Sequence, residues 1–483
     1  MSRPIHYPFR RIRSMSDGPA EGRPVLAREQ VQALTKRVLG FTTLKNADVS
    51  VSHTALVVTR MANDQVLSGD DGDELWITFG CSDGRGYSTG VATNQLDDTV
   101  LRAIVHQAES ILSVGISPAE SLNPEEHPVP DALVPVQLWH GDVAEAMRTT
   151  RDSTIQDMMR VVLDAGLQAA GFVGLMARAQ SVLNKEGMEA YHEETDCEVT
   201  MTARSKDGTS SGWGGGAARQ WSRINPTEIA ERAVYFAKLG MNPVAMEPGR
   251  RTAILGPAAV AQLMRFFHQQ TDAFDTDNGQ TGFSKMPQGN RLGQRVFDPR
   301  ITISSNPADP DGGYCPYFGA GFGTPAMTWV ENGILKNLSY SMSYALQRGK
   351  PYSEAPLSFR IAGGPTSVDE MIANCREGIY VNRISSTQAV SQRNGLVTGV
   401  TRDGCFYVKD GKIVRPVKNF RVLESPFFFL NRLEAIGPTG RAAFGYTPPN
   451  SRYGGGQDWP LRPVIVPPMM VRDFNFNATS TAV

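Results

Sequence analysis

The residues able to do chemistry gather in one short stretch, LMRFFHQQTDAFDTD, residues 263–277. The spacing predicts a helix that starts near Pro257, a favourable first-turn residue. Val260, Leu263, Met264 and Phe267 fall on one face of it. Arg265, His268, Asp272 and Asp275 fall on another, near spacings i, i+3, i+7 and i+10. An imidazole with two carboxylates on one stripe could hold a metal ion or form an acid–base pair. The same pattern also suits a solvated polar stripe with Arg265 set among acids, and that plainer reading is the favoured one. DTDNG resembles a terminating turn, which puts Asp275 at or past the helix end.

Other candidates are weaker. YHEETDC (191–197) opens with His192-Glu193, but Cys197, Val199, Met201 and Ala203 alternate with Glu198, Thr200, Thr202 and Arg204. That alternation is a strand, and no second histidine follows at helical spacing, so a zinc-protease helix is rejected. GWGGGAAR (212–219) lacks the Lys and Ser/Thr of a phosphate loop and reads as a flexible turn. YFGAGFGTP (317–325) precedes strands, so it is no dinucleotide fingerprint; it is a loop, or a place where backbone passes close to a ligand. His6, His53, His106, His127 and His140 show no ligand spacing, and no GxSxG is present.

The elements that must position these residues alternate between two periods. Apolar residues make up 41% of the 483 and charged residues 20%, enough for two or three domains with a large core. Net charge is −1 with no long basic run, which argues against a nucleic-acid partner. No apolar stretch approaches the ~20 residues of a membrane span. The basic N-terminus lacks an apolar core segment, so it reads as a tail and not as a secretory signal. Five scattered cysteines without a CxxC pair suggest reduced thiols in a cytoplasmic protein.

Helical periodicity covers 27–39, 96–113, 142–166 and 226–240. Strand-like runs cover 48–64, 75–94, 172–216 and much of the second half. Asp83-Gly84, Gly187, Gly208, Asn332-Gly333 and Asp410-Gly411 mark hairpin turns, and five prolines in 115–138 mark an extended connection. The expectation is an α+β fold with antiparallel sheets and flanking helices. A tail (1–25) precedes an N-terminal α+β domain (26–242) and a β-rich domain (243–483), divided in LGMNPVAMEPGRR.

The run TAILGPAAVAQLMRFFHQQ…GNRLGQRVFDPRITI…GTPAMTWVENGILKNLSYSMSYAL…REGIYV…GCFYVKDGKIVRPVKNFRV…AIG resembles the TldD/PmbA family over most of residues 250–437. PmbA is also called TldE. The first half fits more loosely, in element order. The resemblance implies a two-domain α+β protein that works in proteolysis. In the family a TldD-type subunit carries zinc on an HExxxH helix, completed by a later cysteine, and a PmbA/TldE-type subunit lacks those ligands and pairs with it. The complex degrades unfolded peptides or leader segments, held as extended strands.

Aligned on that motif, His268 takes the place of the first zinc histidine. Gln269 stands where the base should be, and Ala273 where the second histidine should be. No cysteine follows Cys405, and SRYGGGQDWPLRPVIVPPMM, where the cysteine ligand belongs, offers glycines. GNRLGQRV (289–296) is nearer the TldD type, while GFG (321–323) replaces its acidic DEG. One imidazole is too few for a catalytic zinc, which takes three protein ligands. The resemblance therefore implies a non-catalytic TldE/PmbA-like subunit without a cofactor of its own. It would form a heterodimer with a zinc-bearing TldD-like partner and act on unfolded peptide. The alternatives are a self-sufficient metallopeptidase using His268, Asp272 and Asp275, and a homodimeric peptide-binding scaffold without chemistry.

Overall fold

The computed structural model describes residues 19, 22–67, 71–82, 88–114, 133–149, 151–285, 287, 289–356, 358–445 and 463–480. Most of the expected tail, the Asp83-Gly84 turn and most of the proline-rich connection lie outside them.

The first half is one sheet under five helices. Its strands are β1 (Ala47–Ala62), β2 (Gln65–Leu67), β3 (Gly72–Ser82), β4 (Ser88–Thr93), β5 (Gln168–Asn184), β6 (Glu189–Arg204) and β7 (Ser211–Ala218). They run antiparallel in the order β4-β3-β1-β5-β6-β7, with β2 on the end of β1. Because side chains alternate, each long strand sorts its residues onto two faces. Val49, Val51, Ile77, Phe79, Leu175, Ala177, Val199 and Met201 turn one way and are buried. Over them lie α1 (Arg28–Leu39), α2 (Asp98–Val114), α3 (Gly141–Thr149), α4 (Arg151–Asp164) and α5 (Pro226–Leu239). The opposite face carries the polar residues of β6 and a small apolar patch of Val58, Phe172 and Met176, and β6 on it meets the second half of the chain.

Two local expectations change. The run 142–166 is two helices, α3 and α4; the Thr149 hydroxyl donates to the Glu145 carbonyl at 3.0 Å, a side-chain bond that competes with helix continuation. GWGGGAAR is a strand: its first seven residues form most of β7, paired along β6. Its glycines are there for packing. A Cβ on Gly212 would strike the backbone of Ala233 and Ala237, and one on Gly214 would strike the Ile229 carbonyl, so α5 can rest directly on bare strand backbone.

The second half adds β8 (Gly249–Leu255), α6 (Pro257–Met264), α7 (Phe267–Gln270), α8 (Ala273–Asp277), β9 (Ile303–Ser305), β10 (Tyr317–Phe318), β11 (Phe322–Gly323), β12 (Met327–Glu331) and β13 (Ile334–Leu335). It continues through α9 (Met342–Arg348), β14 (Phe359–Ile361), α10 (Val368–Asn374), β15 (Glu377–Ser391), β16 (Leu396–Lys409), β17 (Lys412–Pro416) and β18 (Phe420–Glu424). It ends with α11 (Pro426–Phe429), β19 (Leu433–Ile436), β20 (Gly440–Arg441), β21 (Val464–Val466) and β22 (Met469–Thr479). The order β15-β8-β22-β18-β16 closes on itself, because β15 also pairs with β16. A second sheet runs β13-β12-β9-β14-β21-β20. Between them lies the largest apolar cluster, with Phe267, Phe283, Phe297, Trp329, Phe420 and Phe476 fully buried.

The α+β class and the antiparallel habit hold, with two parallel exceptions, β8 beside β15 and β14 beside β21. The turns behave as their residues require. Asn332-Gly333 and Asp410-Gly411 each place two successive residues at positive φ, the type I′ geometry.

Candidate functional site

The helix expected from near Pro257 to about Phe274 is broken into α6, α7 and α8. Ser339 accounts for the break between α7 and α8. Its N–H donates to the Thr271 carbonyl at 2.7 Å and its carbonyl accepts from Ala273 N–H at 2.8 Å, so a neighbouring segment captures backbone groups that a helix would use. Asp272 turns extended and caps α8, with Oδ1 accepting from the Asp275 N–H at 2.8 Å. The polar stripe of Arg265, His268, Asp272 and Asp275 therefore does not form as one helix face, and Asp275 lies inside α8 and not past a helix end.

His268 is half-buried, and its Nδ1–H donates to the Arg265 carbonyl at 3.2 Å. Burial, reinforced by nearby Arg265, holds its pKa below the ordinary imidazole value, so the neutral ring is favoured. Asp275 is occupied by Gln392, whose Nε2 donates to Oδ2 at 2.8 Å and to the Gln269 carbonyl at 3.3 Å. Ala273 is fully buried in the large apolar cluster. Gln269 is an amide, which does not take a proton at neutral pH. These residues do not fit a zinc ion: one imidazole, two committed carboxylates and a methyl group. Among the described residues no three His, Cys, Asp or Glu side chains are grouped to hold a metal. Residues 451–462, in the glycine-containing stretch, lie outside the described residues.

What the structure does assemble is the polar face of the first sheet. His192, Glu194, Asp196 and Glu198 alternate along β6 on that face, and all four are buried. Buried carboxylates need partners, and these come from far along the chain. Arg219 reaches Glu194 at 3.0 Å and Asp196 at 3.2 Å, and Arg178 reaches Glu194 at 3.3 Å. Arg441 donates to both Asp196 oxygens at 2.7 Å. The Phe444 and Gly445 N–H groups donate to Glu198 Oε1 at 2.8 and 2.6 Å. Burial opposes ionisation of Glu194, yet Arg219, His192 and Arg178 together outweigh it and hold the carboxyl well below the usual carboxylate range. Burial pushes the Glu198 carboxyl up, against the Phe444 and Gly445 N–H groups and nearby Arg441.

Beside this cluster a cavity of about 310 Å³ opens against the polar face, lined among others by Ser50, Ser52, Arg178, Glu194, Arg219 and Tyr317. YFGAGFGTP forms its far wall: β10 and β11 make a two-residue hairpin there. Gly321, at positive φ, lies so close to Met188 that a Cβ would strike it. Of the glycines in that stretch, Gly321 thus serves a close approach, and Gly319, at positive φ, serves the turn. The cavity presents hydroxyls, two guanidiniums and carboxylates of both faces, a lining suited to hydrogen-bonding a polar chain.

Sequence reasoning placed the β6 residues on a strand with the right two faces but did not find them as a site. Alternating His192, Glu194, Asp196 and Glu198 was the available signal. Four polar residues on one strand face need either solvent or distant cations. His53, read as unremarkable, accepts from the Leu26 N–H through Nδ1 at 3.0 Å and faces Asp73 through Nε2 at 2.5 Å, a structural role.

Residues 248–478 match the profile of the PmbA/TldA metallopeptidase C-terminal domain. A protein of Methanothermobacter thermautotrophicus named metalloprotease is 24% identical over 294 residues, 56% of this chain and 62% of that protein. Two crystal structures share the fold over nearly their whole length. TldE from Thermococcus kodakarensis superposes with a TM-score of 0.75 at 15% identity, covering 92% of this chain and 99% of that one. A protein of Thermotoga maritima described as a candidate modulator of a DNA gyrase gives 0.77 at 16% identity, with the same coverage.

Proposed function

From a chain that belongs to the TldD/PmbA family, we propose a TldE/PmbA-like role: a non-catalytic subunit that pairs with a zinc-bearing TldD-like chain and helps hold extended peptide for cleavage. The observation that carries this reading is the donor set at 268–273. His268 is followed by Gln269 and by a buried Ala273, and Asp272 and Asp275 are engaged in capping and in binding Gln392. That set lacks the motif's Glu and its second histidine, so it offers neither the three protein ligands of a catalytic zinc nor the carboxylate that would deprotonate water beside one. The polar cavity on the first sheet supports a holding role. An extended peptide is recognised chiefly through its backbone N–H and C=O groups, which hydroxyls and charged side chains satisfy without selecting a sequence.

The test is co-purification from the source organism, with native mass and metal analysis of the complex and of this chain alone. The expected result is a heteromeric complex with zinc and peptide hydrolysis, and neither zinc nor hydrolysis in the isolated chain. Stoichiometric zinc in the isolated chain, or chelator-sensitive hydrolysis by it that His268→Ala abolishes, overturns the proposal. The compartment is proposed to be the cytoplasm, in keeping with five cysteines of which none is in a disulfide. No helix among the described residues is long and apolar enough to cross a membrane.

A further inference from the structure

The cavity of about 310 Å³ against the open face of the first sheet carries two kinds of polar group. Ser52 on β1 and Gln180 on β5 are direct cross-strand partners, and Ser50 lies two residues along β1 on the same face. The next pair on that face is Thr54 with Arg178, and Arg178 is in turn the partner of Glu194 on β6. Ser50, Ser52, Gln180, Arg178 and Glu194 all line the cavity.

The charged groups are already committed. The Arg178 Nε–H donates to the Thr54 hydroxyl at 3.0 Å, and its guanidinium reaches Glu194 at 3.3 Å. Arg219 holds Glu194 and Asp196 and donates to the Gly313 carbonyl, while Arg441 holds both Asp196 oxygens. Glu354, also in the lining, has a partner as well. A charged ligand would have to pull one of these pairs apart to find a counter-ion, and breaking a buried pair is costly. The neutral groups are not committed. Among the described residues the Ser50 and Ser52 hydroxyls and the Gln180 amide have no hydrogen-bond partner, and all three residues are half-buried. A hydroxyl donates and accepts, and a side-chain amide does both, as a peptide group does. Phe318 on β10, also in the lining, is 42% exposed with its ring stacked on Tyr352 at 5.8 Å, and Met176 adds a second apolar surface.

We propose that this cavity seats the interior of a bound peptide, with uncharged main chain on Ser50, Ser52 and Gln180 and one apolar side chain against Phe318. The seat rests on the peptide-holding role proposed above and specifies what is held: chain ends and charged side chains are not selected. Its volume is at the small end for ligand sites, so it takes a short stretch of a longer chain. Main-chain hydrogen bonds supply the affinity, and the apolar surface supplies the selectivity.

The test is calorimetric titration of the full chain with a short peptide, acetylated and amidated at its ends, that has a central leucine among alanines. Companion peptides carry free ends, or a central serine, aspartate or lysine. Saturable binding is expected, equal for capped and free ends, strongest for leucine, and unchanged by added salt, because screening acts only on charge. Gln180→Leu should weaken it about tenfold, roughly the factor for a peptide group left without its hydrogen bond. Phe318→Ala should remove the preference for leucine over serine. Far-ultraviolet circular dichroism checks that each variant is folded. Tighter binding of the free-ended or charged peptides, no saturable binding, or wild-type binding by folded Gln180→Leu overturns the proposal. The seat and the subunit role fail separately: these titrations need no zinc-bearing partner, and co-purification with such a partner does not need the seat.

Discussion

Asp196 shows how much depends on single residues. It accepts from Arg441 with both oxygens and lies 3.2 Å from Arg219, and all three side chains are buried. Removing one member of such a group strands the others' charge. Asp196→Asn should therefore lower stability by about 3–5 kcal/mol, measured by denaturant unfolding. Glu198, two residues on, should behave oppositely. Its carboxyl is raised by burial, so the folded state favours the neutral acid. The stability this gives is present below the unfolded carboxyl's pKa and is lost as pH rises through the raised folded one. Glu198→Gln keeps an oxygen for the Phe444 and Gly445 N–H groups and removes the titration. Relative to the wild type, its unfolding midpoint should climb as pH rises from the ordinary carboxylate range toward neutral. An unchanged difference across that range would show that Glu198 is not a buried titrating acid. The alternation that carries these residues was legible in the sequence. Their partners were not, because Arg178, Arg219 and Arg441 sit 16, 25 and 245 positions from the carboxylates they meet.

Elements were legible where local chemistry alone decides them. The long strands follow from strict alternation, and the Asn332-Gly333 and Asp410-Gly411 hairpins from the positive φ their turns demand. Besides the split of 142–166, two elements were misread because a distant segment decided. The helix expected from near Pro257 breaks at 271–273 because Ser339 takes its backbone bonds there. The glycine run 212–216 is a strand because α5 needs bare backbone beneath it. Gly214→Ala tests the second point. Its methyl would meet the Ile229 carbonyl of α5, so α5 must lift and stability should fall by at least about 1–3 kcal/mol, read as a lower thermal midpoint. A neutral substitution would mean that the helix does not seat on the strand.

At the scale of the whole molecule, the barrel depends on the last described strand. β22 lies between β8 and β18 and also receives β19. Ending the chain after Val466 removes it, exposing two strand edges and leaving Phe420, whose ring packs on Phe476, without that partner. The truncated chain should be aggregated or unfolded by size-exclusion chromatography and circular dichroism, whereas a barrel closed by other strands would survive. The halves of the chain are joined through buried polar contacts, Asp196 with Arg441, Ser211 with Asp403 and Asn382 with the Trp213 carbonyl.

By itself the sequence determined the α+β class, the two faces of β6 and the hairpin turns. These depend on residue identity and on periods of two and 3.6, which need no knowledge of distant neighbours. Only the tertiary structure decided that the 263–277 stretch is three short helices, that β6 carries a buried charge cluster, and that Ser52 and Gln180 meet on one sheet face. Each of those joins segments far apart in the chain, and their energies exist only once the fold has brought them within hydrogen-bonding reach.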